Sequence, residues 1–248
     1  GFASKNINAG EHVHSHNLEF KEFERNFKVI NKKTIVDENV DTFFNGILRE
    51  NGQVATRNYI GIVSTVNCSA TVTKMIVEKI KYSNILNDYP NIDGIVPITH
   101  STGCGMNTVS EGMQMFQRTI DGFKNHPNFS HVFVIGLGCE CAQVSLFDES
   151  VKKHNRIHFL TIQDEGGTKK IVEKVLSQIK NLLSEANDIK RTPESVSHLT
   201  LALQCGGSDG YSGITANPAL GVAADMLVKK GGSSILSETP EIYGAEHL

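Results

Sequence analysis

The segment 59–69 has the sequence YIGIVSTVNCS, in which a β-branched apolar run ends at Asn67-Cys68-Ser69. Three other segments repeat this arrangement, because each places a cysteine and a glycine-containing turn directly after an apolar run. They are GIVPITH before residues 101–105, HVFVIG before residues 137–140, and LTLALQ before residues 205–209. β-Branched residues are enriched in strands, so the repeated pattern predicts strands whose ends carry chemically active side chains.

Helical periodicity follows each of these strands. Apolar residues recur at helical spacing in four segments: 69–82, 109–123, 168–186 and 218–230. Strands that alternate with helices predict βαβ units and a parallel sheet. The strands are continuously apolar, which is typical of sheets covered on both faces. We therefore predict the α/β class, with parallel Rossmann-like sheet units and helices on both faces.

Composition excludes several functional classes. The 248 residues are 39% hydrophobic and 21% charged, with a net charge of −3. This gives no basic field to attract nucleic acid or an anionic membrane, and no apolar stretch approaches the ~20 residues that span a bilayer. The sequence shows no signal peptide, and its five cysteines favour reduced thiols. We therefore expect a cytoplasmic protein with no nucleic-acid or membrane partner.

Turn signals and composition predict four parts of the chain. Residues 1–20 suggest a β-hairpin remnant, in which His12, His14 and His16 would face one side of a strand. That arrangement is compatible with a metal or anion site, and equally with exposed hairpin histidines. Residues 21–44 are predicted as a linker, 45–190 as a first α/β domain, and 198–248 as the start of a second, truncated one. The polar segment 187–197, which contains Pro193, is predicted as an interdomain linker.

His100 and Cys104 lie in the turn that follows the second predicted strand. In open α/β sheets, ligands bind outside the carboxyl ends of the strands. The glycines at positions 103 and 105 would let backbone N–H groups approach an anion closely. One hypothesis is a cradle for a substrate carboxylate with His100 as acid or base, and the other is a tight turn with a packed histidine.

Cys139 and Glu140 end the glycine-rich turn after the next strand. The turn lacks the third glycine of a dinucleotide fingerprint. Glu140 is interpreted as a metal ligand, as an acid or base, or as an acid in the first turn of a helix. Since parallel strands end on one side, we predict that His100, Cys104, Cys139 and Glu140 lie on one rim of the sheet.

The second domain offers a different set of donors. Asp209 suits a hard or borderline divalent metal, and Cys205 suits a softer one. Glu238 follows the last predicted strand and is the third candidate in this neighbourhood. Asn217 is predicted as the N-cap of a helix that begins at Pro218, and contact with substrate is the alternative role.

These motifs together resemble the altronate/galactarate dehydratase family. The resemblance extends from about residue 45 to the end of the chain and is specific. Residues 1–20 look like the tail of that family's N-terminal SAF (β-clip) domain, so we expect a chain truncated at both ends. Sulfolactate sulfo-lyase is a relative with the same core motifs. The segments that carry the resemblance are Arg57-Asn58-Tyr59, Asn67-Cys68, residues 102–105, His126-Pro127-Asn128, residues 136–140, residues 205–209, residues 212–218 and residues 238–241.

The resemblance implies elimination of water from a sugar acid of the altronate or galactarate type, which gives a 2-keto-3-deoxy acid. It implies dependence on Fe²⁺ or Mn²⁺, because the enediolate formed by α-proton loss needs a cation to stabilise its charge, and a base must take that proton. A homodimer is the expected assembly. The candidate residues are His100, Glu140, Cys104 and Cys139 for catalysis, Arg57, Asn58, Asn67, Ser208, Thr215 and Asn217 for substrate binding, and Cys205, Asp209 and Glu238 for the metal.

Three alternatives stay open at the level of sequence. A sulfolactate sulfo-lyase type of C–S lyase shares the motifs. An iron–sulfur dehydratase would use Cys68, Cys104, Cys139 and Cys205, although their spacing matches no compact cluster motif. A non-catalytic module that binds sugar acids or nucleotides would use the glycine turns only as anion cradles.

Overall fold

A computed structural model describes residues 2–14, 16–19, 42–148, 156–204 and 211–238. Within these ranges, the elements alternate between strands and helices from residue 59 onward. The strands are β1 (Phe2–Ala3), β2 (Leu18–Glu19), β3 (Phe43–Leu48), β4 (Val54–Ala55), β5 (Tyr59–Ser64), β6 (Gly94–Ile98), β7 (Phe129–Gly136), β8 (Ile157–Thr161), β9 (Thr192–Ser195), β10 (Thr200–Leu203) and β11 (Ser233–Leu236). The α-helices are α1 (Asn67–Ser83), α2 (Glu111–Lys124), α3 (Ser145–Asp148), α4 (Thr168–Asn187) and α5 (Ala216–Lys229).

The main sheet has four parallel strands in the order β6-β5-β7-β8. One cluster of buried apolar residues joins α1 and α4 to one face of the sheet, and a second joins α2 and α3 to the other face. Strand β7 is buried along its whole length. The predicted α/β fold, with a parallel sheet and helices on both faces, is therefore confirmed.

Helix α4 shows why the apolar spacing predicted these helices well. Its apolar stripe is fully or nearly fully buried and faces α1 and the sheet. In α2, Met113, Phe116 and Ile120 are buried, whereas Phe123 is 38% exposed at the end of the helix. The Ser110 hydroxyl accepts a hydrogen bond from Met113 N at 3.2 Å and caps the start of α2.

A three-stranded antiparallel sheet in the order β4-β3-β9 was not predicted. Strand β9 pairs with β3, with Phe43 opposite Ser195 and Asn45 opposite Pro193. Residues 192–195 of the predicted interdomain linker 187–197 therefore form a strand, and the domain boundary itself stays a prediction. The predicted start of the first domain at residue 45 falls inside β3. Polar composition and Pro193 are compatible with β9 because it is an edge strand, where a missing N–H is tolerated.

The histidine segment does not form the predicted strand. Strands β1 and β2 pair antiparallel, but His12, His14 and His16 lie in the connection between them. The fully buried Asn17 explains this, because its side chain accepts from His14 N at 2.8 Å and donates to His12 O at 2.9 Å. A side chain that bonds to the local backbone competes with strand pairing. The assignment of this part to a SAF domain stays a prediction.

The second unit contains β10, α5 and β11, with β10 and β11 paired in parallel. Helix α5 begins at Ala216, with Thr215 as its N-cap. The prediction that Asn217 caps this helix is therefore wrong, because Asn217 already lies within the first turn, where its N–H donates to Ser212 O at 2.9 Å. Across the described residues, all the helices are too short or too polar to cross a bilayer.

Candidate active site

The strand order defines where a ligand is expected to bind. Strand β5 lies between β6 and β7 in the sheet. Helix α1 connects β5 to β6 on one side, and the connection through α2 then leads from β6 to β7 on the other side of β5. This reversal between β5 and β7 is a topological switch point, and α/β sheets of this kind bind ligands there, outside the carboxyl ends of the strands. The turns after β6 and β7 contain His100, Cys104, Cys139 and Glu140, and Asn67 begins α1 shortly after β5.

The Glu140 side chain joins two of these turns. Its exposed fraction is only 3%. Oε1 accepts from the Thr65 hydroxyl at 3.0 Å and from Leu137 N at 3.0 Å, and Oε2 accepts from Gly138 N at 2.6 Å. The carboxylate therefore fixes its own glycine turn and ties it to the end of β5. The interpretation of Glu140 as an acid in the first turn of a helix is wrong, since α3 begins only at Ser145.

The glycines of this turn are required by close contacts. A Cβ atom on Gly136 would lie 2.5 Å from Glu140 Oε1 and 2.5 Å from Val144 Cγ2. Gly138 has a φ of +123°, a conformation that other residues rarely adopt. The glycines of this turn thus leave room for a carboxylate that the protein itself supplies, that of Glu140.

His100 is held on the other side of the β5 terminus. Its Nε2 lies 2.9 Å from the Ser64 carbonyl oxygen, and Nδ1 accepts from Thr102 N at 3.3 Å. The carbonyl requires a proton on Nε2, so Nδ1 is the unprotonated nitrogen. The ring also packs edge-on against Phe116, with 5.0 Å between centroids. His100 and Glu140 therefore flank the neighbouring residues Ser64 and Thr65.

The turn after β6 is fastened directly to the start of α1. Asn67 N donates to Thr102 O at 2.8 Å. Gly103 has a φ of +99°, and a Cβ atom there would lie 2.5 Å from Thr65 O. The turns after β5, β6 and β7 thus form one hydrogen-bonded rim, which confirms that His100, Cys104, Cys139 and Glu140 share an edge of the sheet.

The thiols are the accessible groups of this rim. Cys68, Cys104 and Cys139 are exposed, and Cys68 Sγ lies 3.6 Å from Asn67 Oδ1. Cys141 is only partly exposed and packs against the core beside α2. Where residues are described, no three His, Cys, Asp or Glu side chains are grouped closely enough to hold a metal ion.

Sequence reasoning missed Ser64 and Thr65, which organise the rim. Both are fully buried, and Thr65 is the residue through which Glu140 reaches β5. The only sequence signal was their position at the end of the apolar run, because Thr65 and Glu140 are far apart in the chain.

Arg57 and Asn58 lie at the opposite edge of the sheet. They precede β5, whose six residues span roughly 20 Å. Asn58 is fully buried and donates to Asn91 O and Ala186 O, both at 2.8 Å. The structure therefore does not bring these two predicted substrate-binding residues to the rim that contains His100.

The second unit presents part of the remaining predicted set. Glu238 follows β11 and accepts from Gln204 Nε2 at 3.3 Å, at the carboxyl ends of β10 and β11. Thr215 and Asn217 are exposed at the start of α5. Cys205, Ser208 and Asp209 lie outside the described residues.

The rim carries backbone N–H groups and polar side chains. It also places an imidazole, a buried carboxylate and exposed thiols beside the switch point. The fold and the site define an α/β protein whose titratable and nucleophilic side chains meet at one edge of a parallel sheet.

Two family matches cover most of the chain. Residues 46–187 match the second domain of the family D-galactarate dehydratase/Altronate hydrolase, and residues 196–248 match the C-terminal domain of D-galactarate/Altronate dehydratase. The chain belongs to this family of sugar-acid dehydratases, as its motifs predicted.

Named relatives agree with this assignment. Altronate dehydratase of Escherichia coli K12 is 34% identical over 257 residues, which covers 100% of this chain and 50% of that protein. Galactarate dehydratase (L-threo-forming) of the same organism is 37% identical, over 83% of this chain and 40% of that protein. The beta subunit of (2R)-sulfolactate sulfo-lyase from Chromohalobacter salexigens is 25% identical, over 83% of this chain and 49% of that protein. The chain spans half the length of these relatives or less.

Proposed function

We propose that the protein acts in the removal of water from a sugar acid of the altronate or galactarate type, to give a 2-keto-3-deoxy acid. The observation that carries this proposal is the convergence of His100 and Glu140 on the end of β5, in a chain of the dehydratase family. The reaction removes the proton beside the carboxylate and expels a hydroxide from the next carbon. It needs a base at the first position and an acid or cation at the second.

His100 is the better candidate for proton transfer. Its Nδ1 is engaged only by a long hydrogen bond, 3.3 Å from Thr102 N, whereas Nε2 is fixed on Ser64 O at 2.9 Å. A substrate that displaces the Thr102 N–H would free Nδ1 to accept the α-proton. The Nε2 bond would meanwhile keep the ring in place and hold the required tautomer.

Glu140 supports the site through positioning. Both carboxylate oxygens accept hydrogen bonds from the protein, and the side chain is buried. Direct proton transfer would leave the Leu137 and Gly138 N–H groups without their acceptor, which is costly in a buried turn. Its proposed contribution is to hold Cys139 and the glycine turn beside the rim, where Cys104 is the other accessible candidate.

A divalent metal, Fe²⁺ or Mn²⁺, is proposed as the cofactor on the chemistry of the reaction. Of the three predicted ligands, Glu238 alone lies in the described part of the chain, and that part assembles no group of three donors. Hence the described residues do not by themselves fit a metal site, and Cys205, Asp209 and Glu238 stay predictions. When bound, the metal would stabilise the charge of the enediolate.

The test is dehydration followed by proton NMR. The protein is incubated with altronate or galactarate and with Fe²⁺ or Mn²⁺, and the new methylene protons of the product are recorded. His100→Asn is compared with His126→Asn, because His126 Nδ1 likewise accepts a backbone N–H two residues on, at 3.1 Å from Asn128 N. His126, however, lies at the opposite edge of the sheet.

We expect His100→Asn to lower kcat by about 100-fold or more, which is typical for loss of a general base, and His126→Asn to stay within about twofold. Equal loss in both variants would remove His100 from the chemistry. Because the chain spans about half the length of its relatives, we expect it to be poorly active by itself. No product from either sugar acid with either metal, in a protein that also spans the rest of the relatives' length, would contradict the proposed function itself.

A C–S lyase acting on sulfolactate is the second candidate, because a sulfo-lyase subunit is among the relatives. Release of sulfite from sulfolactate, without dehydration of either sugar acid, would favour it. A preformed iron–sulfur site finds no support in the described residues, since Cys68, Cys104 and Cys139 are not grouped as ligands. A cytoplasmic homodimer remains part of the proposal.

A further inference from the structure

A cavity of about 600 Å³ lies at the amino edge of the main sheet, away from the candidate active site. It lies between the β3–β4 hairpin, the starts of β7 and β8, and the end of α4. The side chains of Arg49, Arg156 and His131 line it. This volume is within the range of small-molecule sites.

The two guanidinium groups are bound to neutral partners. Arg49 donates to Pro127 O at 2.8 Å and to the Asn58 side-chain oxygen at 3.2 Å. Arg156 donates to Phe129 O at 3.1 Å. In the described ranges, neither arginine lies within ion-pair distance of a carboxylate. Both are half-buried, so two positive charges lie in one cavity without a carboxylate in direct contact.

The electrostatic environment is consistent with that geometry. Burial, together with the neighbouring Arg156 and Arg191, lowers the pKa of Arg49 to about 10. Burial also lowers the pKa of Arg156. A partly buried charge without a counterion is unfavourable, and an anion in the cavity would relieve that cost.

The acidic residues of the cavity lie at its mouth. Glu185 is 79% exposed and lies 3.9 Å from His131 Nε2, and Glu50 and Asp188 are exposed beside Lys190. Solvated charges of this kind are screened by salt. Their sign disfavours a long polyanion, which would lie against several of them at once, more than it disfavours a small anion.

We propose that this cavity binds a small oxyanion, a phosphate or a carboxylate, on Arg49 and Arg156. Each guanidinium keeps N–H donors that no described residue accepts, at Nη1 of Arg49 and at Nε of Arg156, and these suit the oxygens of either group. The site is separated from His100 by the length of β5, roughly 20 Å. It is therefore a second binding site, and it does not depend on the proposed dehydratase activity.

The test is calorimetric titration with inorganic phosphate and, separately, with malonate, at constant ionic strength in chloride. Arg156→Gln removes one charge, and Arg118→Gln is the matched control, because Arg118 is an exposed arginine on α2 outside the cavity. We expect saturable binding of at least one anion, weakened about tenfold or more by Arg156→Gln and unchanged by Arg118→Gln. The anion that saturates identifies the class.

A second measurement needs no variant. The ring of His131 is buried and lines the cavity, so its NMR resonances should shift as the anion saturates the wild-type protein. This result decides the question if Arg156→Gln does not fold. The proposal is overturned if neither anion saturates, if His131 does not respond, or if Arg156→Gln binds as tightly as wild type, which would indicate adventitious ion binding only.

Discussion

Replacing Thr65 by Val tests the hydrogen bond that holds the rim together. The side chain is fully buried, and its hydroxyl donates to Glu140 Oε1 at 3.0 Å. Valine has nearly the same shape but cannot donate. A hydrogen bond to a charged group contributes about 1.5–3 kcal/mol. Because Oε1 keeps the Leu137 N–H, we expect the free energy of unfolding to fall by about 2 kcal/mol, measured by urea denaturation.

Thr65→Ser is the matched control for this substitution. It keeps the hydroxyl and loses one buried methyl group, which costs about 1 kcal/mol. The cycle with Glu140→Ala, which removes the acceptor, isolates the pair, and we expect a coupling energy of about 1 kcal/mol or more. A Val variant as stable as wild type, or strictly additive losses in the double variant, would refute the idea that this bond ties β5 to the glycine turn.

Three further perturbations test other parts of the structure. Gly103→Ala places a Cβ atom 2.5 Å from Thr65 O at a φ of +99°, so we expect a loss of about 2 kcal/mol or more in urea unfolding; a neutral result would mean that the turn relaxes freely. Asn58→Ala removes the donor of one buried and one partly buried carbonyl and should cost about 3 kcal/mol; a loss below about 1 kcal/mol would contradict the buried role. His131 has its pKa lowered to about 4, chiefly by burial; because the unfolded chain takes up a proton first as the pH falls below about 6.5, stability should drop by about 2 kcal/mol between pH 7.5 and pH 5. The drop should be smaller by that amount in His131→Phe, although not absent, because burial also lowers the pKa values of His126 and His158. An equal slope in both proteins would argue against the buried neutral imidazole.

Most of the fold could be predicted from local patterns in the sequence. The apolar runs at β5 and β7 and the stripe of α4 are fixed by burial against neighbouring elements, and burial leaves a periodic signal in the sequence. Strand β9 left no such signal, because its four residues join the sheet through backbone hydrogen bonds while their side chains stay exposed or half-buried.

The location of the candidate site could be predicted from the sequence, but the roles of its residues could be predicted only in part. Strand ends indicated the rim that contains His100 and Glu140. The bond between Thr65 and Glu140 joins residues 75 positions apart, and no local pattern reports a contact of that separation. Arg57 and Asn58 show that a motif can also be assigned to the wrong edge of the sheet. Their motif lies beside a strand, but the sequence does not say that it faces the edge opposite to the thiols.

The pairing of β9 with β3 has a consequence for how the first α/β unit is connected. Phe43 and Ser195 are opposite each other, and such partners are about 5 Å apart in an antiparallel ladder. The chain therefore enters this unit and leaves it at neighbouring positions. A unit whose ends are adjacent can be inserted into a surface loop of a host protein without distorting the host. Its own ends can also be joined by a few residues, and new ends can be opened elsewhere in the chain. The exposed tip of the β3–β4 hairpin, at Asn51 and Gly52, is a suitable place to cut.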